Sequence, residues 1–148
     1  KPKHKKFRTI FGYMKSTYEK AVADFLAKPE VYALTGAEYE PFTLYLENTK
    51  PIPDFFLKKL NIIVEIYGGH PKAWQRKVEK NRDYKKAKIP VISITPSEIY
   101  NLDYCLLRQA IKLSKTPLAK NFKPEKFMKP KPEWLHNLRM QVGKIRRG

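Results

Sequence analysis

At 148 residues, with 42% apolar and 13% aromatic side chains, the chain is long enough for one cored domain and too apolar for a disordered segment. Lys and Arg number 31 against 14 Asp and Glu, a net charge of +17, whereas no apolar run approaches the roughly 20 residues that span a bilayer. These features argue against a membrane partner and for a polyanionic one. The single cysteine, Cys105, permits no intrachain disulfide and fits an intracellular, reducing setting.

The charge is uneven. Residues 1–15 carry basic groups and no acid, and residues 115–148 carry ten basic against two acidic groups, while the stretch between is nearly balanced. This predicts a basic N-terminal arm over 1–15, a folded body over 16–114 and a basic, Pro/Lys-rich extension over 115–148. Arms of this kind grip nucleic acid. Their candidate phosphate contacts are Lys3, Lys5, Lys6, Arg8, Lys129, Lys131, Arg146 and Arg147, with His70 as a loop contact.

In chain order, Ser16-Thr17-Tyr18-Glu19 reads as a capping box, starting a helix near Ser16 whose apolar stripe is Ala21, Val22, Phe25 and Leu26. Pro29 should stop it. Tyr39 to Leu46 reads as a strand, with Pro41 marking an edge or a start. Pro71 suits the first position of a helix running to about Lys86, with Trp74, Val78 and Tyr84 on its apolar side. Val91 to Ile94 is a short buried strand, and Pro96 opens a last helix through about Leu113. An extended arm should follow from Lys115.

Between these lies the stretch from Pro53 to Gly69. Two apolar runs flank Lys58 to Asn61, the pattern of a β-hairpin. Pairing Leu57 with Ile62 sets Asp54 opposite Glu65, on one face and roughly 5 Å apart at Cβ. Two carboxylates so placed need either a divalent cation between them or a raised pKa on one of them. An acid inside Ile62-Ile63-Val64-Glu65-Ile66 is costly without a purpose. Strand, Gly68-Gly69, helix and strand is a βαβ unit, which makes Val91 to Ile94 parallel to the strand of Glu65. The order is α-β-β-β-α-β-α, an α/β fold with a mixed sheet flanked by helices.

This order resembles the PD-(D/E)XK, or restriction-endonuclease-like, nuclease superfamily, over roughly Ser16 to Ile99. The resemblance implies that Asp54 and Glu65 hold Mg²⁺, that Mn²⁺ substitutes for it, that the Ile66 carbonyl is a further metal ligand, and that Glu19 assists. The motif lysine belongs two residues after the second acid, where this chain has Tyr67. The chain is similar to branches that carry the lysine on the following helix, where Lys77, Lys80 and Tyr84 lie three and four residues apart. Lys80 and Lys77 are the candidates for the role.

The function so implied is a Mg²⁺-dependent DNA endonuclease, in which a cation held by carboxylates activates water and a lysine stabilises developing charge. One site cuts one strand, so double-strand cleavage calls for a homodimer. Two alternatives stand beside it: a binding-only member of the same fold, with Tyr67 as its signature, and a basic RNA-binding protein in which the carboxylate pair is incidental.

Overall fold

The computed structural model describes residues 7–130, 132–134 and 141. It opens with a small hairpin, β1 (Arg8–Thr9) and β2 (Gly12–Tyr13). Phe7, Phe11 and Met14 pack from it into the core, so residues 7–14 belong to the folded body rather than to a free arm. Helix α1 spans Thr17–Leu26, with the Ser16 hydroxyl accepting from the Glu19 amide. Pro29 does end this helix, but it also begins another, α2 (Pro29–Thr35), because a proline's missing N–H costs nothing at a first helical position. Gly36 closes α2 in the left-handed conformation.

Four strands form one mixed sheet in spatial order β3 (Ala37–Tyr39), β4 (Phe55–Leu57), β5 (Ile62–Ile66) and β6 (Val91–Ile94). The hairpin β4–β5 pairs Phe55 with Val64 and Leu57 with Ile62, the register expected from the sequence. β6 runs parallel to β5, joined to it through α3 (Pro71–Lys86). The protein is therefore mixed α/β, a four-stranded mixed sheet with helices between strands.

The strand expected over Tyr39 to Leu46 is not formed. β3 lies earlier, and Glu40, with φ of 43°, turns the chain out of the sheet before Pro41. Residues 41–51 instead loop back on themselves, with the Leu44 amide bonded to the Pro51 carbonyl and Leu46 to Thr49. The loop is held to α3 by Asp83, whose carboxylate accepts from the Asn48 amide and side chain and from the Thr49 hydroxyl.

The last helix is broken into a 3₁₀ segment at Pro96–Asn101, a π segment at Asp103–Arg108 and α4 (Gln109–Ser114). Nor is the chain from Lys115 an extended arm throughout. Helix α5 (Pro117–Asn121) and a 3₁₀ turn at Pro124–Phe127 lie against the body, where Phe122 packs edge-on to Phe56. Asn61 Nδ2 donates to the carbonyls of Ala119 and Phe122, 2.7 Å in each case.

Strand alternation sorts the core into two layers. Phe55, Leu57, Ile62, Val64 and Ile66 face Val22, Leu26, Leu102, Leu106 and Ala110. Phe56 and Ile63 face Leu44, Leu46, Tyr84, Ile89 and Phe122. Each Val, Leu, Ile or Phe among them contributes about 1.5–3 kcal/mol by burial, so β4 and β5, buried on both faces, are the most firmly held part of the molecule. No helix among the described residues is long and apolar enough to cross a membrane.

Candidate active site

Asp54 and Glu65 do converge, at the end of the β4–β5 hairpin. The even-numbered residues of β5 turn their backbone polar groups toward β4, since Ile63 and Tyr67 give their amides to the carbonyls of Pro90 and Ile94 on the other side. Continuing the register sets Pro53 opposite Ile66. Pro53 has no N–H to offer the Ile66 carbonyl. On the donor side, Asp54 Oδ2 accepts the Ile66 amide at 2.6 Å. The proline thus ends the ladder, offering no donor to the Ile66 carbonyl at that position.

α3 lies over the face of β5 that carries Glu65 and Tyr67, and it meets that face through polar groups. Trp74, Lys77, Asn81 and Tyr84 recur at spacings of three, four and three, which is one helical stripe. Lys77 Nζ lies 2.5 Å from Asp54 Oδ2 and 2.5 Å from Glu65 Oε1. The Tyr84 hydroxyl donates to Glu65 Oε2 at 2.7 Å. Asn81 Nδ2 donates to the Tyr67 hydroxyl and to Ser93 Oγ, and the Trp74 indole N–H bonds the Gly68 carbonyl. Val78 and Trp74, expected on an apolar side, are 41% and 37% exposed. The stripe is polar because it covers a charged pair.

The Glu65 side chain is fully buried, and those of Asp54 and Lys77 are 11% and 13% exposed. Burial and the charge of Asp54 push the Glu65 carboxyl above its usual range, against the opposing pull of Lys77 and Tyr84. Burial works to lower the Lys77 pKa, but the charges of Asp54 and Glu65 and their hydrogen bonds outweigh it and hold it above the ordinary lysine value. Burial beside Glu65 also drives the Tyr84 hydroxyl far up, so it remains a donor. A single ammonium thus bridges two buried carboxyl groups.

Glu19 stands at the rim. Its Oε1 accepts from the Tyr39 hydroxyl at 3.1 Å and from the Lys15 amide at 3.3 Å. Burial and the charge of Asp54 raise its carboxyl. Beside it, Lys15 pairs with Glu40 at 3.0 Å, and the Glu40 amide donates to the Asp54 carbonyl.

Among the described residues no group of three or more His, Cys, Asp or Glu is gathered as a metal site. The two converging carboxylates are nevertheless hard oxygen donors of the kind Mg²⁺ takes, and the Ile66 carbonyl at the end of β5 is a third oxygen of that type; water or substrate oxygens would have to complete a shell. The residues present fit such an ion.

The other candidates lie apart from this cluster. The Lys80 side chain makes no hydrogen bond or ion pair among the described residues, whereas Lys77 reaches both acids. Tyr67, in the motif lysine's place, bonds Asn81 and stacks edge-on against Trp74, with ring centroids 4.9 Å apart. His70 is the N-cap of α3, its Nδ1 accepting from the Lys72 amide. Arg8 and Lys129 are exposed. Lys3, Lys5, Lys6, Lys131, Arg146 and Arg147 lie outside the described residues.

Tyr84, Asn81, Tyr39, Lys15 and Glu40 were not singled out as site residues from the sequence. For Tyr84 and Asn81 the signal was present in the helical spacing from Lys77. For Glu40, which reaches the site through a left-handed turn, there was none. Comparison with protein-family models, with curated proteins and with solved structures gives no match.

Proposed function

We propose that the chain is a metal-dependent DNA endonuclease with a restriction-endonuclease-like core. The observation that carries this reading is the convergence of Asp54, Glu65 and Lys77 at the end of an antiparallel pair whose second strand continues through α3 into a parallel strand. Asp54, Glu65 and the Ile66 carbonyl would hold Mg²⁺, with Mn²⁺ as a substitute and Glu19 at the rim. When bound, the ion neutralises phosphoryl oxygens and lowers the pKa of the attacking water.

The chain's own residues have separate tasks. Tyr84 fixes the Glu65 carboxylate by holding Oε2, which leaves Oε1 to Lys77. The Ile66 amide fixes Asp54 by holding Oδ2, the oxygen that also meets Lys77. Lys77, a cation on a flexible stem, orients the nucleophile or stabilises charge developing on the phosphorane oxygens. Basic residues at the two ends of the sequence supply phosphate contacts that position DNA without reading its sequence. A homodimer would bring two such sites to opposite strands.

The test is a time course on supercoiled plasmid with Mg²⁺ or Mn²⁺, comparing wild type with Glu65→Ala and including an EDTA lane. Nicking that disappears with EDTA and with the substitution is the expected result. DNA binding without cleavage in either metal would overturn it in favour of a binding-only protein. One observation favours that second reading: Lys77 satisfies both acids and Tyr67 stands in the motif lysine's place, so the cluster also serves as a buried ion triad. Such a protein would bind DNA with a steep salt dependence and no turnover.

A further inference from the structure

We propose that Lys77 is the resident counter-ion of the Asp54–Glu65 pair, and that a divalent cation enters only as the ammonium leaves, so that DNA and metal bind with positive coupling. The proposal rests on the reading of Asp54 and Glu65 as cation ligands, and it concerns how that site is loaded.

The geometry makes the two cations exclusive. Lys77 Nζ sits 2.5 Å from both Asp54 Oδ2 and Glu65 Oε1, and Mg²⁺ would need oxygens at about 2.1 Å in the same space. Glu65 offers no alternative, because its Oε2 is held by Tyr84 on the inner side. On Asp54 the Ile66 amide and Lys77 share Oδ2, so only Oδ1 is left to a second cation. A cation bridging the acids must therefore use Glu65 Oε1, the atom Lys77 occupies.

The ammonium, once displaced, needs another anion. Among the described residues the acids nearest the rim are already engaged, Glu19 by Tyr39 and the Lys15 amide, Glu40 by Lys15. A backbone phosphate arriving at the mouth supplies that anion. It draws Lys77 off the carboxylates, frees Oε1 for the metal, and receives the lysine where phosphoryl chemistry needs it. By linkage the effect is reciprocal: phosphate tightens metal binding and metal tightens DNA binding by the same factor. The site therefore stays guarded against free cations until substrate is present.

The experiment has two arms. Mn²⁺ binding without DNA is measured by the electron paramagnetic resonance of the free ion, for wild type, Lys77→Met and Lys77→Gln, with circular dichroism as the check of folding. Duplex binding is measured by fluorescence anisotropy with and without Ca²⁺ at constant ionic strength. Wild type should bind Mn²⁺ weakly alone, and the Lys77 variants about tenfold more tightly, within the range usual for coupled sites. Ca²⁺ should strengthen duplex binding to wild type several-fold and lose most of that effect in the variants. Wild-type duplex affinity that ignores Ca²⁺, while Mn²⁺ binds all three proteins equally, would overturn the exchange and leave the metal site standing. Absence of Mn²⁺ binding in every protein, with or without duplex, would remove the metal reading itself. If neither variant folds, wild-type duplex affinity that ignores Ca²⁺ is by itself enough to overturn the exchange.

Discussion

Replacing Lys77 with Met is the most informative perturbation of the folded protein, measured in EDTA so that no cation can substitute. The substitution keeps the helix and most of the volume but strips the ammonium from two carboxylates whose side chains are 0% and 11% exposed. Removing one partner of a buried ion pair costs about 3–5 kcal/mol, because the remaining charge is left without compensation. For a domain of this size that corresponds to a fall in melting temperature of roughly 10 °C. The source of the loss is checked by a double-mutant cycle. Adding Glu65→Gln removes the orphaned charge, and about 2 kcal/mol or more should return. The sign of the pH dependence is fixed as well. Without Lys77, burial and Asp54 hold the Glu65 carboxyl still further above its unfolded value. Its contribution is then fullest below the ordinary carboxylate range and is lost as pH rises through the folded pKa. The variant's deficit should therefore shrink from pH 8 toward pH 5. Urea denaturation across that range is the assay. A loss below about 1 kcal/mol, independent of pH and of Glu65→Gln, would refute the claim that the ammonium compensates buried charge.

Three further outcomes are expected. Asn61→Ala and Asn61→Gly both delete the bonds to Ala119 and Phe122, so limited proteolysis within 115–127 should quicken in each. Asn61 has φ of 63°, which makes the alanine variant the less stable of the two by about 1 kcal/mol. Asp83→Ala should cost roughly 1.5–3 kcal/mol by releasing Asn48 and Thr49. The hydrogen bonds from Thr49 and Asn48 outweigh burial and hold the Asp83 carboxyl below its usual range. Its stabilisation is thus present above the unfolded aspartate pKa and lost as pH falls through the folded one, so wild type and variant should converge in acid. Ser16→Ala should remove about 1 kcal/mol in thermal unfolding, the usual worth of an N-cap.

The parts of the fold legible in the sequence are those fixed by strict local patterns. The Leu57–Ile62 pairing follows from two apolar runs around a polar turn, and α3 is bounded by a proline at its first position. The parts that were hidden depend on single backbone torsions or on contacts distant in sequence. Tyr39 to Leu46 is rich in strand-forming residues, yet the left-handed turn at Glu40 removes it from the sheet. Pro96 to Leu113 has a helical apolar stripe, but that stripe is served equally by 3₁₀, π and α segments in series. Lysines and prolines after 114 suggest solvent, while Ala119 and Phe122 find a place on the hairpin that composition cannot foresee. At the site, Lys77 and Lys80 both sit three or four residues from other members of the helix face. Which of them meets Glu65 depends on the angle at which α3 crosses β5, and spacing alone does not contain it.

The tie between Asn61 and the carbonyls of Ala119 and Phe122 has a consequence for the order in which the protein is made. The hairpin that carries both carboxylates is complete in sequence by Ile66, yet its turn is fastened by residues synthesised more than fifty positions later. A nascent chain will therefore hold an assembled but unlatched hairpin, with Phe56 packed on Phe42 and Leu44 but lacking Phe122, until residues near Phe122 have emerged. Folding on the ribosome should finish late and in one step, with the last packed segment acting on the first-formed pair of strands.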